Sequence, residues 1–422
     1  MSATTKIVYR ELDGHSPHFW RVLGGVALFV LAGLMSAFYM EHHGHHVTGM
    51  TNQVVWGMPH VFAVFLIVAA SGALNIASIG SVFERGLYKP LARLSGLLAL
   101  CLLAGGLTVL LLDLGRADRL IVAMTHYNFR SIFAWNVLLY SGFFGIVAAY
   151  LWTMMSRHGA PFYKPAAFAA FLWRLTLTTG TGSIFGFLVA RDAYNAAIMA
   201  PMFIAMSFAY GKAIFMLIMV GVYTATGRPL GDVVVTRLQR LMGIVLAATL
   251  YFVLVQHLTN LYMEERRAVE AFILTGDTIH TFLFWVVQIG IGGIIPLVLL
   301  LHPRLGGSRS ASVLASVLII MGGLAQVYVI IIGGQTYPLT LFPGMEASSQ
   351  FFDGVVNTYT PTLAEIVLGI GGMGIALALV LVACALLRFL PESLADEVID
   401  PDHVAKIVDM ADEAGNAEAA KA

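Results

Sequence analysis

The sequence predicts an all-α polytopic membrane protein of about ten transmembrane helices, and three observations carry that prediction. Of 422 residues, 59% are hydrophobic and only 11% are charged, against about 25% charged in an ordinary soluble domain. The apolar residues gather in runs of roughly 20 or more, the length that crosses a hydrocarbon core. These runs lie at about 19–40, 54–82, 89–114, 130–156, 165–191, 197–226, 236–259, 278–301, 310–335 and 362–389. Within each run hydrophobicity is continuous and does not alternate. The runs therefore read as helices, which satisfy their own backbone hydrogen bonds in lipid, and not as barrel strands.

Taken in order, residues 1–18 form a polar N-terminal segment. The apolar run behind it is long, so it reads as a retained first helix and not as a cleaved leader. Residues 19–390 form the membrane domain, and the acidic, Ala-rich residues 391–422 form a C-terminal tail that is either a short amphipathic helix or unstructured. Lys and Arg set the orientation, because cytoplasmic segments carry the excess of positive charge. Segments sharing a side with the N-terminus carry Lys6, Arg10, Arg21, Arg85, Lys89, Arg93, Arg157, Lys164, Arg228, Arg237, Arg240, Arg304, Arg309, Arg388, Lys406 and Lys421. The opposite side carries only Arg116, Arg119, Arg130, Arg191, Arg266 and Arg267. Both termini are thus expected in the cytoplasm. The longest outer connections are 260–277, which is charged, and 336–361, which is shaped by Pro338, Pro343, Gly344 and Pro361.

Composition also excludes functions. A net charge of zero gives no footprint for nucleic acid. The two cysteines, Cys101 and Cys384, lie far apart inside apolar runs. They cannot by themselves hold an iron–sulfur cluster or a structural zinc. The run His42, His43, Gly44, His45, His46 resembles a metal-binding patch. With Glu41 as its one neighbouring carboxylate, it reads as incidental composition, and no metal site is expected.

Ionisable residues within a membrane span are costly and usually mark function. Here they share a depth. The second span opens at the outer face with His60, and the third closes there with Asp113 and Arg116. The fourth opens with Asn128, Arg130, Ser131, Trp135 and Asn136, and the fifth closes with Arg191, Asp192 and Asn195. Gln256, His257 and Asn260 end the seventh, His280 opens the eighth and Glu365 opens the tenth. Such a cluster among apolar walls suits a redox-active lipid such as a quinone, whose carbonyls need donors and whose reaction moves protons. A histidine and a carboxylate can relay those protons. The candidate catalytic residues are His60 and Asp113; Arg116, Asn136, His257 and His280 join them as candidates for the quinone pocket. Interface anchoring and interhelical hydrogen bonding are the plainer explanation for any single member. A haem needs paired axial ligands; the single tier formed by His60, His257 and His280 argues against one. Deeper in the membrane, Arg174 and Lys212 sit near Thr- and Ser-bearing stretches that read mainly as helix packing.

Several strings resemble the NrfD/PsrC family of quinone-interacting membrane subunits. They are Trp56-Gly57-Met58-Pro59-His60, Asp113-Leu114-Gly115-Arg116 and Ser131-Ile132-Phe133-Ala134-Trp135-Asn136. The third departs from the family's usual Ser-Pro-Met-Ser-Trp-Gly form. The ten-span length and Gly182-Ser183-Ile184-Phe185-Gly186, leading into Arg191-Asp192, are more similar to the DsrP/HmcC/HybB branch, and most to DsrP. The resemblance implies two four-helix bundles, about 54–191 and 197–335, with a flanking helix at each end. It implies a multi-pass subunit of the bacterial inner membrane that binds quinone or quinol (menaquinone or ubiquinone) near the periplasmic face, with no haem or iron–sulfur cluster of its own. The implied partners are a periplasmic ferredoxin-like iron–sulfur subunit and, in a Dsr-type complex of sulfur metabolism, cytochrome c, cytochrome b and cytoplasmic catalytic subunits.

Two other functions compete. A secondary transporter places its site near the midplane, where Arg174 and Lys212 have no acidic partner in sequence. A purely structural anchor needs no titratable groups in the bilayer. Lacking a redox metal, the chain must pass quinol electrons to another protein, expected to dock on 115–129, 260–277 and 336–361 at Arg116, Arg119, Arg266 and Arg267.

Overall fold

The computed structural model describes residues 7–302, 308–339 and 354–399. Lys6, Arg304, Pro343, Gly344, Lys406, Lys421 and most of the C-terminal tail lie outside the described residues. The long helices are α1 Pro17–His43, α2 Met58–Ser81, α3 Ala92–Leu112, α4 Ile132–Met155 and α5 Tyr163–Gly186. They continue with α6 Met199–Thr226, α7 Asp232–Tyr262, α8 Ile279–Leu301, α9 Arg309–Thr336 and α10 Leu363–Leu386. Among the described residues, nine are long and apolar enough to cross a membrane. The exception is α5. Arg174 and a run of threonines lower its hydropathy, yet it packs against α2, α4 and α6 like its neighbours. It ends at Gly186, so Arg191 and Asp192 stand beyond its end and not within a span.

Helices α2, α3, α4 and α5 pack around one another, as do α6, α7, α8 and α9. The two groups meet where α2 and α5 touch α6. Glycine makes that seam possible, because small residues let helix backbones approach in a membrane. A Cβ on Gly72 would run into the Ser207 carbonyl oxygen, and one on Gly211 would run into the Ala73 nitrogen. Helix α10 lies on α2 and α3, and α1 lies on α10. The outer side of α1 leaves Leu28, Phe29, Leu31, Met35 and Phe38 uncovered, a surface suited to lipid.

The two ends of the bundle differ in construction. At the end that carries residues 7–13 and 388–399, strand β1 (Tyr9–Arg10) pairs antiparallel with β2 (Leu390–Pro391). Arg228 donates to the carbonyls of Arg10 and Glu11, and Arg388 pairs with Glu11. Asp396 accepts the free amides of Asp232 and Val233 at the start of α7, as a carboxylate does at a helix N-terminus. The first residues of the tail are therefore bound to the membrane domain. The other end carries the polar cluster. Its connection 260–277 is mostly an amphipathic helix, Glu264–Thr275, which buries Val269, Glu270 and Ile273.

Candidate functional site

Asp113 caps the C-terminal end of α3, and its residue is almost wholly buried. Its Oδ2 lies 3.0 Å from Nδ1 of His60, in the first turn of α2. The His60 side chain is 20% exposed, against 1% for Asp113. The approach is an ion-pair contact off the line of a good hydrogen bond; neither carboxylate oxygen has an aligned donor among the described residues. A buried carboxylate in that state is expensive unless a cation stands beside it. His60 is that cation when protonated. Because Nδ1 faces the carboxylate, Nε2 sits on the opposite edge of the ring.

A second histidine completes the group. His45 Nε2 stands 2.9 Å from the Asp113 carbonyl oxygen and 3.9 Å from Oδ1. A carbonyl only accepts, so this nitrogen carries the hydrogen. The His42–His46 run thus contributes one member to the site, a role that composition alone did not show.

The loop before α2 is held from distant parts of the chain. Gln335, in the last turn of α9, accepts the amides of Val55 and Trp56 at 2.9 and 3.0 Å and donates to the Trp56 carbonyl at 3.0 Å. Arg191 donates to the carbonyls of Gln53 and Gln335. Glu365, fully buried, accepts the Gly49 amide, the Thr362 amide and hydroxyl, and the Tyr359 hydroxyl. Tyr359 in turn accepts the Met58 amide at 2.6 Å. A Cβ on Gly57 would strike this Glu365–Tyr359 pair at 2.5–2.8 Å. Glu365 is therefore the anchor of the loop, and its oxygens are occupied. The loop presents Trp56 beside His60, with ring centres 6.3 Å apart, and against Phe133 and Phe185. Phe133 is itself exposed.

The other candidates go elsewhere. Arg116 does not reach Asp113: it is exposed and grips Asp118 at 2.9 and 3.0 Å. That bond holds the Asp118 carboxyl below its ordinary pKa. Asn136 is buried and donates to the carbonyls of Ile132 and Gly180, tying α4 to α5. His280 places Nε2 3.0 Å from the Thr336 hydroxyl.

His257 forms a second pair. Its Nδ1 lies 2.6 Å from Oε2 of Glu270, whose Oε1 accepts the Asn260 amide at 2.6 Å. Arg266 donates to the other end of Asn260 at 3.3 Å and to the Asn195 carbonyl. Nearby, burial raises the Asp192 carboxyl above its ordinary pKa, with Arg266 opposing the shift. Among the described residues no three His, Cys, Asp or Glu side chains group so as to hold a metal ion.

Residues 46–338 match the family described as polysulphide reductase, NrfD. The chain belongs to the NrfD family. Its similarity to several known proteins runs almost end to end. The "Hdr-like menaquinol oxidoreductase integral membrane subunit" of Archaeoglobus fulgidus is 25% identical over 93% of this chain and 99% of its own length. A putative dimethyl sulfoxide reductase membrane subunit of Halobacterium salinarum is 29% identical over 87% of this chain and 90% of its own. A selenate reductase subunit of Mesobacillus selenatarsenatis is 22% identical over 84% and 90%. The NrfD match covers His60, Asp113 and Asn136, and it also covers His257, Glu270 and His280.

Two site residues escaped the sequence reading of this NrfD-family chain. His45 sits in a loop whose shape depends on residues some 300 positions away. Glu270 falls in the connection 260–277, which read only as charged. Its signal was the i, i+4 pair Val269 and Ile273, which puts Glu270 on the buried edge of a short amphipathic helix.

Proposed function

We propose that this chain is the quinol-reacting subunit of a multisubunit membrane oxidoreductase. The observation that carries the proposal is the His60–Asp113 pair: a buried carboxylate without an aligned donor, behind a partly exposed imidazole, beside Trp56, whose ring in turn meets Phe133. Apolar and aromatic walls with few placed polar groups are what a quinone ring requires. His60 Nε2 accepts a proton from the quinol hydroxyl, and Asp113 stabilises the imidazolium that forms. The quinol loses two electrons and two protons: the partly exposed His60 hands the first proton to water and takes the second in turn, and the electrons leave to another protein. The names of the three relatives, all subunits of oxidoreductases and two of them membrane subunits, support this reading. The archaeal menaquinol relative makes menaquinol the substrate to test before ubiquinol.

In this proposal the termini are cytoplasmic and the pair faces the periplasm of the inner membrane. Arg85, Lys89, Arg93, Arg157, Lys164 and Arg228 flank the spans at the terminal end, as the positive-inside rule asks. A periplasmic iron–sulfur protein is the expected acceptor, docked over the exposed Arg116 and Arg267. Service in a Dsr-type complex with cytochrome subunits is part of the proposal, resting on the sequence strings alone. The test is quinol oxidation by the intact complex carrying Asp113→Asn or His60→Gln. Loss of the proton acceptor His60, or of the Asp113 charge that stabilises its protonated form, lowers the rate by about 10²-fold or more, with the complex still assembled. Wild-type turnover in both variants refutes the assignment.

A further inference from the structure

The His257–Glu270 pair borders a cavity of about 20 Å³ lined by Gln256, Gln288 and Gln326 among apolar side chains. A quinone ring cannot enter that volume. One water can, since about 10–15 Å³ suffices. Two further observations point to water. Gln288 is more than nine-tenths buried, and its Oε1 has no hydrogen-bond partner among the described residues. Gln288 also lies in a π-helical stretch of α8, Leu283–Ile294, and the cavity's opposite wall includes Val329, which opens the π-helical Val329–Gly333 of α9. Widened helical turns of this kind recur at functional sites. A water placed here has the polar partners that a buried water needs, two to four in number.

We infer that this cavity is an internal water site that exchanges protons with the His257–Glu270 pair, making it a second acid–base centre in the α6–α9 half of the protein. The step moves one proton: an O–H bond of a hydrated proton breaks as an O–H bond forms on Glu270, or an N–H bond on His257, and the reverse releases it. No electron transfer is required. The charged groups nearest the pair are Arg266, acting through Asn260, and Asp192, on which both Arg266 and Glu265 act. From α9, Gln326 faces the cavity, with its Oε1 taken by the Tyr210 hydroxyl of α6 at 2.5 Å.

The experiment is infrared difference spectroscopy of the full chain in lipid nanodiscs, titrated with acid in H2O and in D2O and without quinol. The expected result is a protonated-carboxyl band that shifts in D2O and is lost in Glu270→Gln. Gln288→Leu, which removes the free oxygen and fills the cavity, slows the deuterium exchange of that band. His257→Gln moves the acid titration of the band without removing it. A carboxyl spectrum identical in wild type and Glu270→Gln overturns the inference. So does unchanged exchange in Gln288→Leu, a variant that leaves His257 and Glu270 in place. Because no quinol is present, the outcome is independent of the reaction proposed at His60.

Discussion

His60 and His257 each lean on a carboxylate at the same end of the bundle, one in the α2–α5 group and one at the α6–α9 group. They differ in how well the carboxylate is satisfied and in what can reach the ring. Asp113 has one imidazole at 3.0 Å and no aligned donor among the described residues. Glu270 has an imidazole and an amide, both at 2.6 Å. His60 stands partly exposed beside Trp56, whose ring meets the exposed Phe133, whereas the cavity beside His257 holds no more than a water. An imidazole and a carboxylate therefore give a partly exposed, under-bonded pair in one place and a closed, well-bonded pair in the other. A loosely held carboxylate can respond to a substrate's charge; a fully bonded one mainly stabilises its surroundings until a proton arrives.

Four substitutions probe this contrast. The largest effect belongs to Asp113→Asn, which removes the negative charge behind His60 and lowers quinol turnover by about 10²-fold or more. Thermal melting of the same variant should show little loss, because Asp113 makes few bonds to lose. Next is Glu270→Gln, with the opposite profile. Breaking a short, buried, charged hydrogen-bond set removes about 1.5–3 kcal/mol, seen as a lowered melting temperature, while bound quinone per complex stays at the wild-type level.

Gln335→Leu follows, because that side chain shapes the open site through the backbone of Val55 and Trp56. It should raise KM for quinol more than it lowers kcat, by roughly fivefold for about 1 kcal/mol of lost positioning. The smallest effect is expected for Arg116→Ala. Its pair with Asp118 is exposed, and exposed pairs contribute about 0–1 kcal/mol. Neither quinone content nor melting should move; association with an acceptor protein should become slower and less sensitive to salt.

The spans were legible because lipid imposes one rule on the whole chain: an apolar run of sufficient length must be a helix. The weak case was α5, where Arg174 and the threonines dilute the run; its packing against three neighbours, not its hydropathy, places it in the bundle. His60 and Asp113 could be brought together from sequence because helix direction fixes depth, and both fall at the same end. Depth fixes only one coordinate. It grouped Arg116, Asn136, His257 and His280 with them, yet Arg116 bonds within its own loop, Asn136 between α4 and α5, His257 to Glu270 and His280 to Thr336. Lateral position is set by helix–helix packing, as at Gly72 and Gly211, and a single sequence does not reveal that packing. His45 was hidden for a related reason: Glu365 and Gln335, which shape its loop, stand on α10 and α9.

The most direct test of which pair meets the quinol is photolabelling of the intact complex with a photoreactive quinone, followed by peptide mapping. Crosslinks are expected in 54–62 and 131–135, around Trp56, His60 and Phe133, with Asp113→Asn altering turnover but not the labelled peptides. Crosslinks confined to 253–290, around His257 and Gln288, would contradict the assignment and make the second pair the quinol site.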